Sequence, residues 1–99
     1  MRYRDVLLEP TFFDDWEHAP PPIRKKLDKI LRQIGKTGII PAGMNIHKAA
    51  AIIPDIWIGY VTRTKDHWRV LFYSEGEILT FHRLLNHAEA SLYLKQLCK

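Results

Sequence analysis

Between Pro20 and Gly38 the apolar residues recur with the period of a helix. Ile23, Leu27, Ile30, Leu31 and Ile34 fall at i, i+4, i+7, i+8 and i+11, which lines them up as one stripe. Lys25, Lys29, Arg32 and Lys36 fall on the opposite side by the same count. Pro20-Pro21-Pro22 suits a first turn, where a missing N–H costs nothing, and Gly35 and Gly38 are placed to end the helix. Ahead of it, "RYRDVLLEP" reads as a short strand stopped by Pro10. "TFFDDWEHA" then reads as a short helix capped by Thr11, with Asp14, Asp15 and Glu17 toward its positive end.

After "IIPAGM" the pattern changes to runs rich in β-branched and aromatic residues. "IWIGYVT", "HWRVLFY" and "EILTFHRLL" read as three strands, joined by the short polar segments "RTKD" and "SEGE". They should form an antiparallel meander, while "NIHKAAAII" is a weaker strand candidate or a loop. The closing segment "NHAEASLYLKQLCK" starts with Asn86 and Glu89 in N-cap and N3 positions, a capping-box variant, and carries Ala90, Tyr93, Leu94 and Leu97 on one helical face. The expected fold is α+β and a single domain over residues 1–99: an N-terminal strand and two helices packed on a small antiparallel sheet, with a C-terminal helix. The second face of such a sheet can remain open.

Composition narrows the classes. A chain of 99 residues supports one core, and 46% hydrophobic with 26% charged residues is ordinary for a globular domain. No apolar run approaches the ~20 residues needed to span a bilayer, and "MRYRDVLLEP" is not a secretory signal. The lone cysteine, Cys98, rules out a disulfide framework, so the expected location is the cytoplasm. Lys and Arg exceed Asp and Glu by 15 − 11 = 4, which favours an anionic partner such as nucleic acid. The basic stripe at Lys25, Lys29, Arg32 and Lys36 is ordinarily a solvated face; the sharper reading is contact with an RNA backbone. The five histidines form no HxxxH pair, so neither a metal nor another cofactor is expected. There is no Gly-rich phosphate loop and no nucleophile-elbow serine, which sets aside nucleotide hydrolysis and acyl transfer.

The anomaly is "WRVLFY", an apolar strand that contains Arg69. A guanidinium keeps its proton in a protein and is costly to bury unpaired. Alternation puts Trp68, Val70 and Phe72 on the better core face, with Arg69, Leu71 and Tyr73 on the other. Three solutions are open: an ion pair with an acid of the N-terminal half, an open sheet face, or an anion supplied by a ligand. Arg63, Lys65 and His67 lie just before Arg69 in sequence. His82 and Arg83 interrupt the next strand and, by alternation, point to opposite faces. For His82 a hydrogen-bonded strand residue is the ordinary reading, and for Tyr93 plain packing.

The helix pair at 11–37, the "DIWIGYVTRTKDHWRVLFY" segment with its W-R-V arginine, the strand "EILTFHRLL" and the stretch "NHAEASLY" together resemble the RelE/ParE superfamily of toxin–antitoxin toxins. The resemblance covers most of the chain and implies a type II toxin held inactive by a cognate antitoxin. Its RelE-like branch cleaves mRNA on the ribosome as an endoribonuclease; its ParE-like branch poisons DNA gyrase without cutting RNA. A third possibility is a member whose site has decayed. Carried over by position, Arg69, His87 and Tyr93 take the catalytic places, and Lys48, Arg63, Lys65, His82 and Arg83 are candidates for binding RNA. Ile58 and Tyr60 stand where some members place lysines, which is why Lys48, Arg63 and Lys65 enter as substitutes. In this reading the counter-ion of Arg69 is the scissile phosphate, which a guanidinium grips with two parallel hydrogen bonds.

Overall fold

A computed structural model describes residues 2–50, 53–62 and 67–97. Arg63, Lys65 and Cys98 therefore lie outside the described residues, as does the "RTKD" turn. The elements are β1 (Asp5–Leu8), α1 (Pro10–His18), α2 (Pro21–Thr37), a 3₁₀ turn (Ala42–Met44), β2 (His47–Ala50), β3 (Ile53–Tyr60), β4 (Arg69–Glu75), β5 (Ile78–Leu85) and α3 (His87–Leu97). The strands form one five-stranded sheet in the order β1-β5-β4-β3-β2.

The meander β3-β4-β5 is antiparallel as its short polar connections require, and "NIHKAAAII" does supply a strand, β2, antiparallel to β3. The sheet is nonetheless mixed, because β1 joins β5 in parallel. The helices α1 and α2 intervene between β1 and the rest, so its partner could not be found from turn chemistry.

Two small cores lie on either side of the sheet. Ile23, Leu27, Ile30 and Ile34 of α2 and Phe12 of α1 pack with Val70, Phe72, Leu79, Phe81 and Leu84, and Leu27 is fully buried. The opposite face is not open: Ala90 of α3 seals Ile56, Ile58, Leu71 and Leu85, with Tyr73, Tyr93 and Leu94 at the rim. Leu97 does not join that face and is 44% exposed, at the last turn of α3.

The helix ends follow local chemistry with one correction. Thr11 does not cap α1. Glu9 holds the N-cap position with Pro10 at the first turn, and the Thr11 hydroxyl instead donates to the carbonyl of His82 at 2.9 Å. Gly35 continues α2; Gly38 ends it in the left-handed region at φ 70°, its N–H bonded to Ile34 O. The Asn86–Glu89 capping box forms as expected, with Glu89 N donating to Asn86 Oδ1 at 2.8 Å and Asn86 N to Glu89 Oε1 at 3.4 Å.

A second correction concerns β5. Leu71 pairs with Arg83 while the next residue, Phe72, pairs with Phe81, so His82 is an extra residue in the strand. This β-bulge cancels the alternation between His82 and Arg83. Both side chains now reach Tyr93 on α3, and neither points into the α1/α2 core. The bulge also frees the His82 carbonyl from the ladder, which is where Thr11 finds its acceptor.

Candidate active site

Arg69 opens β4 and pairs with Tyr60 on one side and Leu85 on the other, on the sheet face away from α1 and α2. Its Nε is buried and has no hydrogen-bond partner. Among the described residues no carboxylate forms an ion pair with it. The only contact its charge makes there is with the Tyr60 ring, whose centroid lies 4.9 Å from Cζ. A stacked ring stabilises a cation by about 0.5–2 kcal/mol, too little to replace a carboxylate or phosphate.

Arg69 lines an open cavity of about 270 Å³ together with Asn45, Tyr60 and His67. Among the described residues Asn45 and His67 are the two non-glycine residues with positive φ, at 50° and 42°. Asparagine enters that region readily, and so, more than most residues, does the histidine at His67. The neighbouring backbone holds it in place. Val61 N and Thr62 N both donate to Trp68 O, and Trp68 N donates to the Thr62 hydroxyl at 3.2 Å. His87, exposed at the first turn of α3, meets the His67 ring edge-on with centroids 6.2 Å apart. The His47 ring lies 5.6 Å from that of Tyr60. Among the described residues the structure thus gathers a guanidinium whose Nε has no partner, three imidazoles and a phenol at one end of the sheet.

The remaining candidates form a separate cluster. Asp15 of α1 takes two hydrogen bonds from Arg83, at 2.6 Å from Nε and 3.1 Å from Nη2, and a third from Leu84 N at 3.0 Å. That backbone N–H belongs to the stretch of β5 beyond the end of β1, so α1 takes over where the strand pairing stops. The Asp15 hydrogen bond raises the Arg83 pKa above its ordinary value; burial opposes this, and the charge of Asp15 and the Tyr93 phenol reinforce it. His82 bridges Glu9 through Nδ1 and the Tyr93 hydroxyl through Nε2, each at 2.5 Å. Its ring also lies 5.1 Å from that of Tyr73, tilted by 51°. The Arg83 guanidinium lies 4.8 Å from the Tyr93 ring centroid. Arg83, His82 and Tyr93 are therefore committed to one another and to α1.

Lys48 also stands apart. It pairs with Trp57 and places its ammonium 5.5 Å from the Trp57 ring, and Trp57 packs on the α1/α2 side of the sheet. So of the residues chosen from sequence, the fold puts Arg69 in the cavity wall and His87 against the His67 ring that shares that wall, and takes Tyr93, His82, Arg83 and Lys48 elsewhere. It adds Asn45, Tyr60 and above all His67. A histidine directly before the W-R-V strand was visible in the sequence; its proximity to His87 depends on the register of β4 with β5. No group of three or more His, Cys, Asp or Glu side chains suited to a metal occurs among the described residues.

No family model matches the sequence, and no curated protein does. Solved structures match the fold over nearly the whole chain. RelE in the RelB–RelE antitoxin–toxin complex of Methanococcus jannaschii superposes with a TM-score of 0.73 at 22% identity, covering 89% of this chain and 98% of that one. YoeB, from a dimer of the Staphylococcus aureus protein, gives 0.63 at 13% identity, with 88% and 99% covered. YafQ from Escherichia coli gives 0.61 at 22% identity, with 87% and 96% covered. The chain therefore has the fold of the RelE, YoeB and YafQ toxins of the RelE/ParE superfamily.

Proposed function

We propose that the chain is the toxin of a type II toxin–antitoxin system and an endoribonuclease that cuts mRNA on the ribosome. The single observation that carries this reading is the buried Nε of Arg69, unpartnered beside a cavity that His67 lines, with the His87 ring against His67. RNA cleavage by its own 2′-hydroxyl needs three groups. A base takes the 2′ proton, a cation meets the charge that grows on the phosphate oxygens, and an acid protonates the departing 5′-oxygen. Arg69 is the cation. His67 and His87 are the base and acid. The O2′–P bond forms, the P–O5′ bond breaks, and the products are a 2′,3′-cyclic phosphate and a 5′-hydroxyl. Tyr60 and His47 offer ring faces on which a flanking base can stack.

Further support comes from the fold: the matched structures include toxins in complex with antitoxins, RelB–RelE and DinJ–YafQ among them. A cognate antitoxin is accordingly the proposed protein partner, the ribosome and mRNA the proposed targets, and the cytoplasm the place of action. No described helix is long and apolar enough to cross a membrane. Gyrase poisoning is the less favoured reading, because it gives the Arg69 cavity no task. The deciding experiment adds the purified protein to translating ribosomes and, separately, to gyrase with supercoiled plasmid. Cuts in the message that vanish with Arg69→Ala are expected. Intact message together with cleaved plasmid would replace this reading with the gyrase one.

A further inference from the structure

Asn45 lines the Arg69 cavity with an amide that the fold does not use. The chain on either side of it is pinned: Met44 is buried and Ile46 packs against the α1/α2 core. Its backbone is satisfied as well. Asn45 N donates to Ala42 O at 3.2 Å, and its carbonyl accepts from His47 Nδ1 at 3.2 Å. The side-chain amide, by contrast, makes no hydrogen bond among the described residues. The left-handed backbone at the end of the 3₁₀ turn explains why an asparagine or a glycine stands there. It does not explain a free amide in the same cavity as the Arg69 guanidinium. Continuing the register of His47 with Ile58 by two residues sets Asn45 beside Tyr60, which pairs with Arg69. Amide, phenol ring and guanidinium thus form a row across the end of the sheet. Its two ends are two strand spacings apart, about 9–10 Å, a span that one nucleotide bridges from phosphate to base edge.

We infer that Asn45 is a specificity residue, which reads the base beside the phosphate that Arg69 holds and selects adenine. The inference rests on the assignment of Arg69 to the scissile phosphate. A primary amide presents an acceptor, Oδ1, and a donor group, Nδ2, side by side. Adenine offers the complement, an amino group next to a ring nitrogen, on two edges: N6 with N1, and N6 with N7. Guanine presents two acceptors, O6 and N7, on its outer edge, which suits an arginine rather than an amide. Cytosine and uracil match an amide on one edge only, and their smaller rings gain less from the Tyr60 face in the same cavity wall. The cavity, at about 270 Å³, lies near the lower end of the range of about 300–1,000 Å³ for small-ligand sites. It takes one nucleotide rather than a run of them, so the base that meets Asn45 belongs to the phosphate at Arg69.

The test reads binding rather than cleavage. Four fluorescent pentanucleotides, one for each base, are made with 2′-fluoro sugars, which lack the attacking hydroxyl and stay intact. The unmodified protein should bind the adenine pentamer about 10-fold to 100-fold more tightly than the other three. Asn45→Gly keeps the left-handed backbone and removes only the side chain; a circular dichroism melt checks the fold. It should bring adenine down to the level of the other bases and leave those unchanged. A pentamer of purine riboside lacks the 6-amino group. It should bind the unmodified protein as weakly as the other bases do, and Asn45→Gly should weaken it no further. This double-mutant cycle separates a direct contact from a shifted backbone. Arg69→Ala, which removes the phosphate contact, should weaken all four pentamers alike and keep their order. Equal affinity for the four bases, no binding of any, or an adenine preference that survives Asn45→Gly overturns the inference. An adenine preference in a protein that cuts no message supports the role of Asn45 and removes only the nuclease reading.

Discussion

Arg69 and Arg83 interrupt neighbouring strands and meet opposite environments. Arg83 has a carboxylate, Asp15, in two-point contact, with side chains 24% and 14% exposed. Arg69 has a buried Nε with no partner and one aromatic ring. Their alanine variants should separate accordingly. Arg83→Ala leaves Asp15 holding only Leu84 N and should lower stability by about 1–3 kcal/mol, less than for a fully buried pair because solvent still reaches it. Urea denaturation measures this. Arg69→Ala should melt at nearly the temperature of the unmodified protein and lose RNA cleavage; a large drop in melting temperature would make Arg69 structural instead. The histidines allow a finer test. Removing either imidazole, by His67→Gln or His87→Gln, should slow single-turnover cleavage by about 10²–10⁴-fold. A variant that cuts at the original rate would remove that histidine from the chemistry.

At the scale of elements, the fold depends on a few positions where backbone and packing leave no alternative. Gly38 ends α2 at φ 70°, and a Cβ there would sit 2.7 Å from the Tyr3 carbonyl oxygen, whose own N–H donates to Gly38 O at 2.7 Å. Gly38→Ala would strain the backbone and push β1 from the end of α2, at a cost above about 1 kcal/mol. Leu27, fully buried between α2 and the sheet, should cost about 2–5 kcal/mol as alanine. A chemical-denaturation midpoint unchanged by Leu27→Ala would mean that α2 does not seat on Val70 and Phe72 in solution.

For the molecule as a whole, the two sheet faces differ in how they are covered. One is closed by α1 and α2, and its outer surface is cationic; the other is half closed by α3 and exposes the Arg69 cavity at its open end. The net charge of +4 should draw an acidic antitoxin segment from a distance. Association with it should slow as salt rises from low to physiological strength, because the Debye length shrinks to about 8 Å. Stopped-flow mixing at two salt concentrations checks this, and an association rate indifferent to salt would exclude electrostatic capture.

What the sequence determined by itself was most of what short-range periodicity carries, and the cap of the last helix. The stripe from Ile23 to Ile34 specified α2 and its buried face, the meander followed from three β-rich runs with short polar links, and Asn86 with Glu89 specified where α3 starts. Alternation placed Arg69 away from the core of Val70 and Phe72 because a strand has period two. The tertiary structure decided what those local rules cannot reach. The parallel partner of β1 is more than seventy residues away, so no turn signals it. The bulge at His82 shifts a strand by one residue, which reverses every facing inferred by alternation beyond it, and only the pairing of β4 with β5 reveals it. The acid of the N-terminal half went to Arg83 rather than Arg69 because α1 lies along the edge of β5 that β1 leaves uncovered. Which arginine pairs with Asp15, and which has a buried Nε without a partner, was a matter of distance in space between residues far apart in the chain.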